Sequence, residues 1–453
     1  EAYSNLGNIL KDLGKINDAE LSYRKAIEIN PNFYQANLNL GNILKDLGNL
    51  KEAEIITRKA IELKPDFAEA HYNLGNILTD LYQQKKALIS LRKAIEINPQ
   101  FLYAHYNLGN IHYEKGEFEA AIKSFQQALH IDKDFPEARW NLSFAQMFVG
   151  DYKSGWENYE SRWRIENAKK PHANPPIPKW SGETLLKGER LLVVSEQGLG
   201  DTIHFMRYIP YLKSLDINVS FCAQLTLHGI IQSSNIHQNP LTITEANQFS
   251  EGKWIPLLSV PQYIGVDSNN PIINDPYISI NNQISERWNS LLKNECKPII
   301  GLSWQGNPET ETGACKGRSI PLEIFSKISK INNFSFLSLQ KGFGSEQLEE
   351  CSFKDQFVKC QNLINSTSDF LETAAQIKNC DLIITTDSCV AHLAAAMGKP
   401  TWVLLKAWLT WRYGLDETTF WYPSMRLFHQ KETNNWDEVI SRVSLALEIV
   451  FDI

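Results

Sequence analysis

The sequence predicts two architectures in series: an all-α stack of helical hairpins, then an α/β region built as two strand–helix halves. Three observations carry this. The tetrad Asn5-Leu6-Gly7-Asn8 recurs at 39–42, 73–76 and 107–110, a period of 34 residues, and such a period marks stacked helix pairs. Beyond residue 190, short branched runs such as 190–195 (RLLVVS) and 298–304 (PIIGLSW) alternate with helical stretches, as buried parallel strands do. All 12 tryptophans lie at position 140 or later, so the core chemistry changes where the repeats end.

Within the repeats, Ala2, Ala36, Ala70, Ala104 and Ala138 share one phase, Ala19, Ala53, Ala87 and Ala121 a second, and Ala26, Ala60, Ala94 and Ala128 a third. Small residues let helix backbones approach, while Leu6, Leu10 and Leu13 lay an apolar stripe at i, i+4 and i+7. Gly14, Gly48 and Gly116 fall where the first helix of a pair must end, in a left-handed cap, and Pro31, Pro65 and Pro99 close the first three units. A fifth copy keeps Asn141-Leu142 and then degenerates, with Gly155 and Arg162 replacing two second-helix alanines. Terminal repeats lack one neighbour, and Trp156, Tyr159 and Trp163 predict that this face packs against the next part of the chain. The pattern resembles the tetratricopeptide repeat (TPR). That resemblance implies a superhelix of about five units over residues 1–168.

Asn5, Asn8 and Asp12 sit at i, i+3 and i+7 on one helix stripe. The stripe recurs as Asn39/Asn42/Asp46, Asn73/Asn76/Asp80 and Asn107/Asn110/Glu114. An amide offers donors and an acceptor, so it pairs with a peptide group whatever the side chain. The ladder resembles that of the TPR region of O-GlcNAc transferase. This resemblance implies a protein or peptide held along the groove by Asn5, Asn39, Asn73, Asn107 and Asn141. The same amides can instead bond neighbouring repeats, which would make the ladder purely structural.

Residues 166–180 (ENAKKPHANPPIPKW) hold four prolines and no apolar periodicity, so 169–185 reads as an extended linker. An amino-terminal half, 186–292, comes next: strand 190–195, a glycine turn with Gly198 and Gly200, a helix from Thr202 to about 215, and strand 217–222. The carboxy-terminal half, 293–453, alternates strands 298–304, 336–339, 381–385 and 401–405 with a helix opened by Pro321, helices 369–378 and 388–397, and a last helix over 436–450. Two such Rossmann-like halves leave a cleft faced by the carboxyl ends of their strands.

The segment 385–400 (TTDSCVAHLAAAMGKP) runs from a strand into a helix near Asp387-Ser388. Helix N-termini attract phosphate through free N–H groups and the dipole. A helix cap is the plain reading of Asp387, and a hydrogen-bonded core residue that of His392. Together with EQGLGDTIHFMRYIP, GLSWQGNP…GRSIPL, FLSLQKG and WVLL…WLTWRYG…WYPSMRLF, this block resembles the heptosyltransferase-like glycosyltransferases, in the TPR-fused branch found in bacteria. The resemblance implies a GT-B fold, with an acceptor domain over 186–292 and a nucleotide-sugar-binding domain over 293–453. It implies inverting, metal-independent transfer, with the nucleotide sugar as co-substrate and no other cofactor. Asp201 would be the general base, against the plainer reading of a cap on the helix it opens. Arg318 would lie near the diphosphate, Ser388 on it, and Asp387 and His392 near the donor sugar or ribose. Ser303, Trp304 and Gln305 would line a donor loop, and Trp411 and Arg412 a second. Lys341 is a further candidate beside the reading of a solvated loop charge. The one DxD sequence, Asp132-Lys133-Asp134, lies between repeats and reads as structural, and no catalytic-half motif of O-GlcNAc transferase occurs in 185–430.

Charge removes other classes. Residues 1–170 carry 22 basic and 23 acidic side chains and the remainder 23 and 29, for a net −7, so no basic domain exists to serve a nucleic acid. The 7 cysteines, Cys315 among them, include no CxxC pair, which predicts reduced thiols in a cytoplasmic protein. No apolar run reaches the ~20 residues of a membrane helix. The chain opens at Glu1 inside a repeat, so a native N-terminus and any targeting signal are expected upstream. The leading expectation is a glycosyltransferase whose protein or peptide acceptor docks in the TPR groove. A scaffold with a degenerate transferase half and a nucleotide-sugar epimerase remain as alternatives.

Overall fold

The repeats form paired antiparallel helices: α1 (Ala2–Asp12), α2 (Ile16–Ile29), α3 (Tyr34–Asp46), α4 (Leu50–Leu63), α5 (Ala68–Asp80), α6 (Gln84–Ile97), α7 (Leu102–Glu114), α8 (Phe118–Ile131) and α9 (Pro136–Phe148). The computed structural model describes residues 1–452 except 186–187, 274, 297, 312–316, 332–333, 368 and 408–409. The phased alanines are buried from Ala19 and Ala26 onward. The glycine of each tetrad marks a close helix crossing: a Cβ at Gly7 would stand 2.6 Å from the Tyr23 ring, and one at Gly109 2.6 Å from Phe125. The turns after α1, α3 and α7 use Gly14, Gly48 and Gly116 at φ +73°, +80° and +73°, whereas the turn after α5 puts Tyr82 there at φ +58°.

The chain divides into two compact units, Glu1–Asp151 and Tyr152–Ile453. Helix α10 (Tyr152–Tyr159), counted with the repeats from sequence, therefore belongs to the second unit. Trp156 donates its Nε1 hydrogen to Val266 O at 2.9 Å and meets the Trp411 ring at 5.3 Å. Arg162, just beyond, grips buried Glu196 through Nε and Nη2 at 3.1 and 3.0 Å and donates to Ser259 Oγ at 2.7 Å.

The second unit holds two parallel sheets. β1 (Arg190–Val194), β2 (Asn218–Cys222) and β3 (Lys253–Pro256) run in the order β2-β1-β3. β4 (Ile299–Ser303), β5 (Ser335–Ser338), β6 (Leu382–Thr386), β7 (Thr401–Leu405) and β8 (Met425–His429) run β5-β4-β6-β7-β8. β1, β4, β6 and β7 were readable because they are continuous apolar runs. β3 and β8 are edge strands, broken by Pro256 or by the outward Arg426, and periodicity hides them. The helix foreseen from Thr202 to about 215 is two pieces, Leu199–Phe205 and Tyr208–Ser214, parted at Arg207.

The proline-rich stretch is no free tether. His172 N donates to Ser195 O at 3.0 Å, Trp254 N to Pro178 O at 3.0 Å, and Trp180 N to Trp254 O at 2.7 Å. Its prolines keep it extended, and an extended chain has the shape needed to extend the open β3 edge. No helix among the described residues is long and apolar enough to cross a membrane.

Candidate active site

The carboxyl ends of the two sheets border a cleft of about 790 Å3. β1 leads into Gln197 at φ +60° and then into the short helix Leu199–Phe205, capped by Gly198. Asp201 uses its two oxygens differently. Oδ2 accepts from Gly198 N at 3.0 Å, closing the helix start, and Oδ1 takes Arg412 Nη2 at 2.7 Å. Gly200 permits close approach to the opposite half, since a Cβ there would stand 3.1 Å from His392 Cδ2 and 3.4 Å from Cys389 Cα.

The facing wall is built from the ends of β4, β5 and β6. Buried Gln340 organises it: its Oε1 accepts from Ser303 Oγ, Trp304 N and Gln305 N at 3.2, 3.1 and 3.0 Å, and its Nε2 donates to Gln305 O and Phe343 O at 3.0 and 2.7 Å. Arg318 lies over Gly306, where a Cβ would come within 2.7 Å of its Nε, and pairs with Glu311 at 3.6 Å. From β6 the chain passes Asp387 and Ser388 into the helix Cys389–Ala396. Ser388 Oγ lies 3.1 Å from Thr385 Oγ1, and Asp387 Oδ1 accepts from Tyr413 Oη at 2.9 Å.

His392, one turn into that helix, lines the cleft. Burial and then the Arg412 charge push its pKa down to about 3, so it is a neutral imidazole at neutral pH. Its Nδ1 is 3.2 Å from Tyr422 Oη, which also lies 3.1 Å from His204 Nδ1 and 3.3 Å from Tyr277 Oη. Beneath them fully buried Arg207 donates to His204 O, Trp421 O and Ile273 O at 2.8, 2.8 and 3.0 Å. Burial opposes the charge of Arg412, yet Asp201 and neighbouring groups raise its pKa and keep it a cation.

Of the residues foreseen, Gly198, Gly200, Asp201, Ser303, Gln305, Arg318, Lys341, Asp387, Ser388, His392 and Arg412 converge on this one cleft. Trp304 and Trp411 do not. Trp304 is fully buried and donates its Nε1 hydrogen to Gly344 O at 3.1 Å; Trp411 packs against Trp156 and Trp421. Large apolar rings on these loops gain more from packing behind the wall than from facing a polar cleft. Lys341 is no solvated loop charge, since its Nζ donates to Thr367 Oγ1 at 2.6 Å and burial lowers its pKa. Sequence reading missed Lys169 and His172, which reach the cleft from the proline-rich stretch and carry no local signal. It also missed Gln340, Tyr413, Tyr422 and Arg207. Each of these four lies in one of the motifs that carry the resemblance, but its residue type alone does not mark it as part of the site.

The asparagine ladder is bonded to itself. Asn39 Nδ2 donates to Asn8 Oδ1 at 3.0 Å, Asn107 Nδ2 to Asn76 Oδ1 at 2.7 Å, and Asn141 Nδ2 to Asn110 Oδ1 at 2.8 Å. Asn107 and Asn141 also donate to Tyr72 Oη and Tyr106 Oη at 3.3 and 3.1 Å. Asn5 is exposed and Asn73 half-buried.

Family models match parts of both regions of the chain. Tetratricopeptide-repeat models match residues 1–33, 22–55, 75–116 and 109–148. The model for glycosyltransferase family 9 (heptosyltransferase) matches residues 343–405. Protein FlbA of Caulobacter vibrioides is 25% identical over 321 residues, covering 65% of this chain and 52% of its own; the chain thus spans about half the length of that relative. Among solved structures, MamA is 25% identical over 34% of this chain and 91% of its own, with a TM-score of 0.32. YrrB, described as a TPR protein with an unusual peptide-binding site, is 24% identical over 36% of this chain and 84% of its own, with a TM-score of 0.32. The chain thus carries tetratricopeptide repeats in its amino-terminal part and, in its carboxy-terminal part, a stretch that matches the glycosyltransferase family 9 (heptosyltransferase) model.

Proposed function

We propose that the second unit transfers a sugar from a nucleotide-diphosphate donor to an acceptor hydroxyl, with inversion and without a metal ion, in a GT-B arrangement of its two α/β halves. One observation carries this reading: a cleft that holds Asp201 within a lining rich in cations. Its lining cations Lys169, Arg318, Lys341 and Arg412 outnumber its carboxylates Asp201 and Asp387. The N–H groups at the start of the Cys389–Ala396 helix and Ser388 add to that positive field.

The donor diphosphate sits at Ser388 and Arg318, and competes with Asp201 for Arg412. Once Arg412 turns to the diphosphate, Asp201 Oδ1 is free to accept a proton. The acceptor oxygen attacks the anomeric carbon as the bond from that carbon to the diphosphate oxygen breaks. Asp201 takes the hydroxyl proton, and the leaving diphosphate keeps the electron pair under the charge of Arg318 and Arg412. Neutral His392 contributes a hydrogen bond rather than a charge.

The acceptor is a protein or peptide held by the asparagine ladder. Inter-repeat bonds occupy both Nδ2 hydrogens of Asn107 and Asn141 and one of Asn39, so these residues would grip a peptide mainly through Oδ1, accepting its N–H groups. The self-bonded ladder equally favours a second reading, in which the asparagines only hold the repeats together and the acceptor is chosen at the cleft.

The test is incubation of the protein with a panel of nucleotide sugars and candidate acceptors, beside the Asp201→Asn variant. Transfer should fall by about 10²–10⁴-fold in the variant while nucleoside diphosphate binding persists. Full activity in Asp201→Asn would remove the base assignment. Sugar release or epimerisation without acceptor would replace transfer by another reaction.

A further inference from the structure

We propose that Phe343 is the platform on which the base of the donor nucleotide stacks, at the β5 end of the cleft. The inference deepens the nucleotide-sugar reading and rests on it. Phe343 lines the cleft yet is 51% exposed, an open aromatic face on a wall otherwise made mostly of polar and charged groups. Its ring is half exposed while the backbone is held at Phe343 and at the residue after it. Gln340 Nε2 donates to Phe343 O at 2.7 Å, and Trp304 Nε1 donates to Gly344 O at 3.1 Å. Gly342 and Gly344, at φ +69° and +82°, supply the left-handed conformations that turn the chain out and back. A rigid turn presenting one bare ring is the arrangement that planar heterocycles bind, because every base offers a π-face and the protein side needs no reordering.

Topology supplies the spacing. The order β5-β4-β6 sets the Phe343 turn, the 303–307 loop beside Arg318, and the Ser388 helix start side by side along one sheet edge. Two strand spacings separate β5 from β6, roughly 10 Å. That is about the reach from a base ring to the diphosphate of the same nucleotide. The ribose then lies over the β4 loop, whose backbone Gln340 holds. Phe370 lines the cleft as well, at the start of the helix Phe370–Lys378.

Isothermal titration of the full chain with ADP, GDP, UDP, CDP and inorganic pyrophosphate tests this, using wild type, Phe343→Ala and Phe343→Trp. The best nucleoside diphosphate should bind Phe343→Ala about tenfold more weakly, and Phe343→Trp should restore it. Pyrophosphate, which has no base, should bind all three proteins alike. Nucleoside diphosphate binding unchanged in Phe343→Ala, or pyrophosphate binding lost along with it, overturns the base platform. Wild type that binds none of these ligands overturns the nucleotide-sugar reading itself.

Discussion

Tyr82 shows how much a single position can tell. Four of the repeat turns place glycine in the left-handed region, at Gly14, Gly48, Gly116 and Gly150, and Tyr82 occupies the matching position at φ +58° with its side chain 88% exposed. A side chain with a Cβ is strained there by about 1–2 kcal/mol, partly offset by the greater freedom glycine has when unfolded. Tyr82→Gly should therefore stabilise the repeats by about 1 kcal/mol, read as a higher urea midpoint with an unchanged slope; a lower midpoint would mean that the Tyr82 ring contributes packing. Asp201 shows the limit of reading single residues. Sequence offered it as a helix cap or as a base, and the fold gives one oxygen to the cap and the other to Arg412. Residue type and position did not foretell that division, because Arg412 lies 211 residues away in the chain.

The element that behaves least as its repeat phase suggests is α10 with the turn after it. Its substitutions, Gly155 and Arg162, looked like decay of a terminal repeat. In the fold Arg162 is an anchor, buried with Glu196 and paired also with Glu160. Burial alone would raise the Glu160 carboxyl, but Arg162 and Lys179 overcome it and hold it at about 2. A carboxyl depressed on folding contributes stability above its unfolded value, ~4.3, and that contribution is lost as pH falls toward 2. The second unit should thus lose stability on acidification between about pH 4.3 and 2, followed through tryptophan emission. Arg162→Met should be less stable at neutral pH by about 3–5 kcal/mol, since Glu196 would keep a buried charge without its partner, and part of that loss should be regained on mild acidification as Glu196 takes up a proton. Stability equal to wild type at neutral pH would show that the anchor is not ionic. The proline-rich stretch teaches the same lesson: its composition specifies an extended chain, and pairing with Trp254 depends on the open edge of β3.

For the whole molecule the open question is what the repeats do for the transferase. Replacing Asn39, Asn73 and Asn107 together by alanine should weaken transfer to a polypeptide while leaving nucleoside diphosphate binding unchanged. Because Asn39 and Asn107 also bond Asn8 and Asn76, the melting temperature of the repeats must be followed in parallel. Unchanged polypeptide modification, with or without lost stability, would leave the ladder a purely structural feature. Sequence by itself determined what repeats or runs: the 34-residue period, the small-residue columns, the continuous apolar strands and the glycine turns. Each of these is local or periodic, so helix and strand geometry translate it directly into structure. The family resemblance named many of the side chains that share the cleft, and tertiary structure alone decided how they meet. It turned Trp304 and Trp411 into the packing behind the wall, brought Lys169 and His172 to its edge, and joined Asp201 to Arg412. Those meetings depend on which strand ends lie side by side, and no spacing along the chain encodes that order.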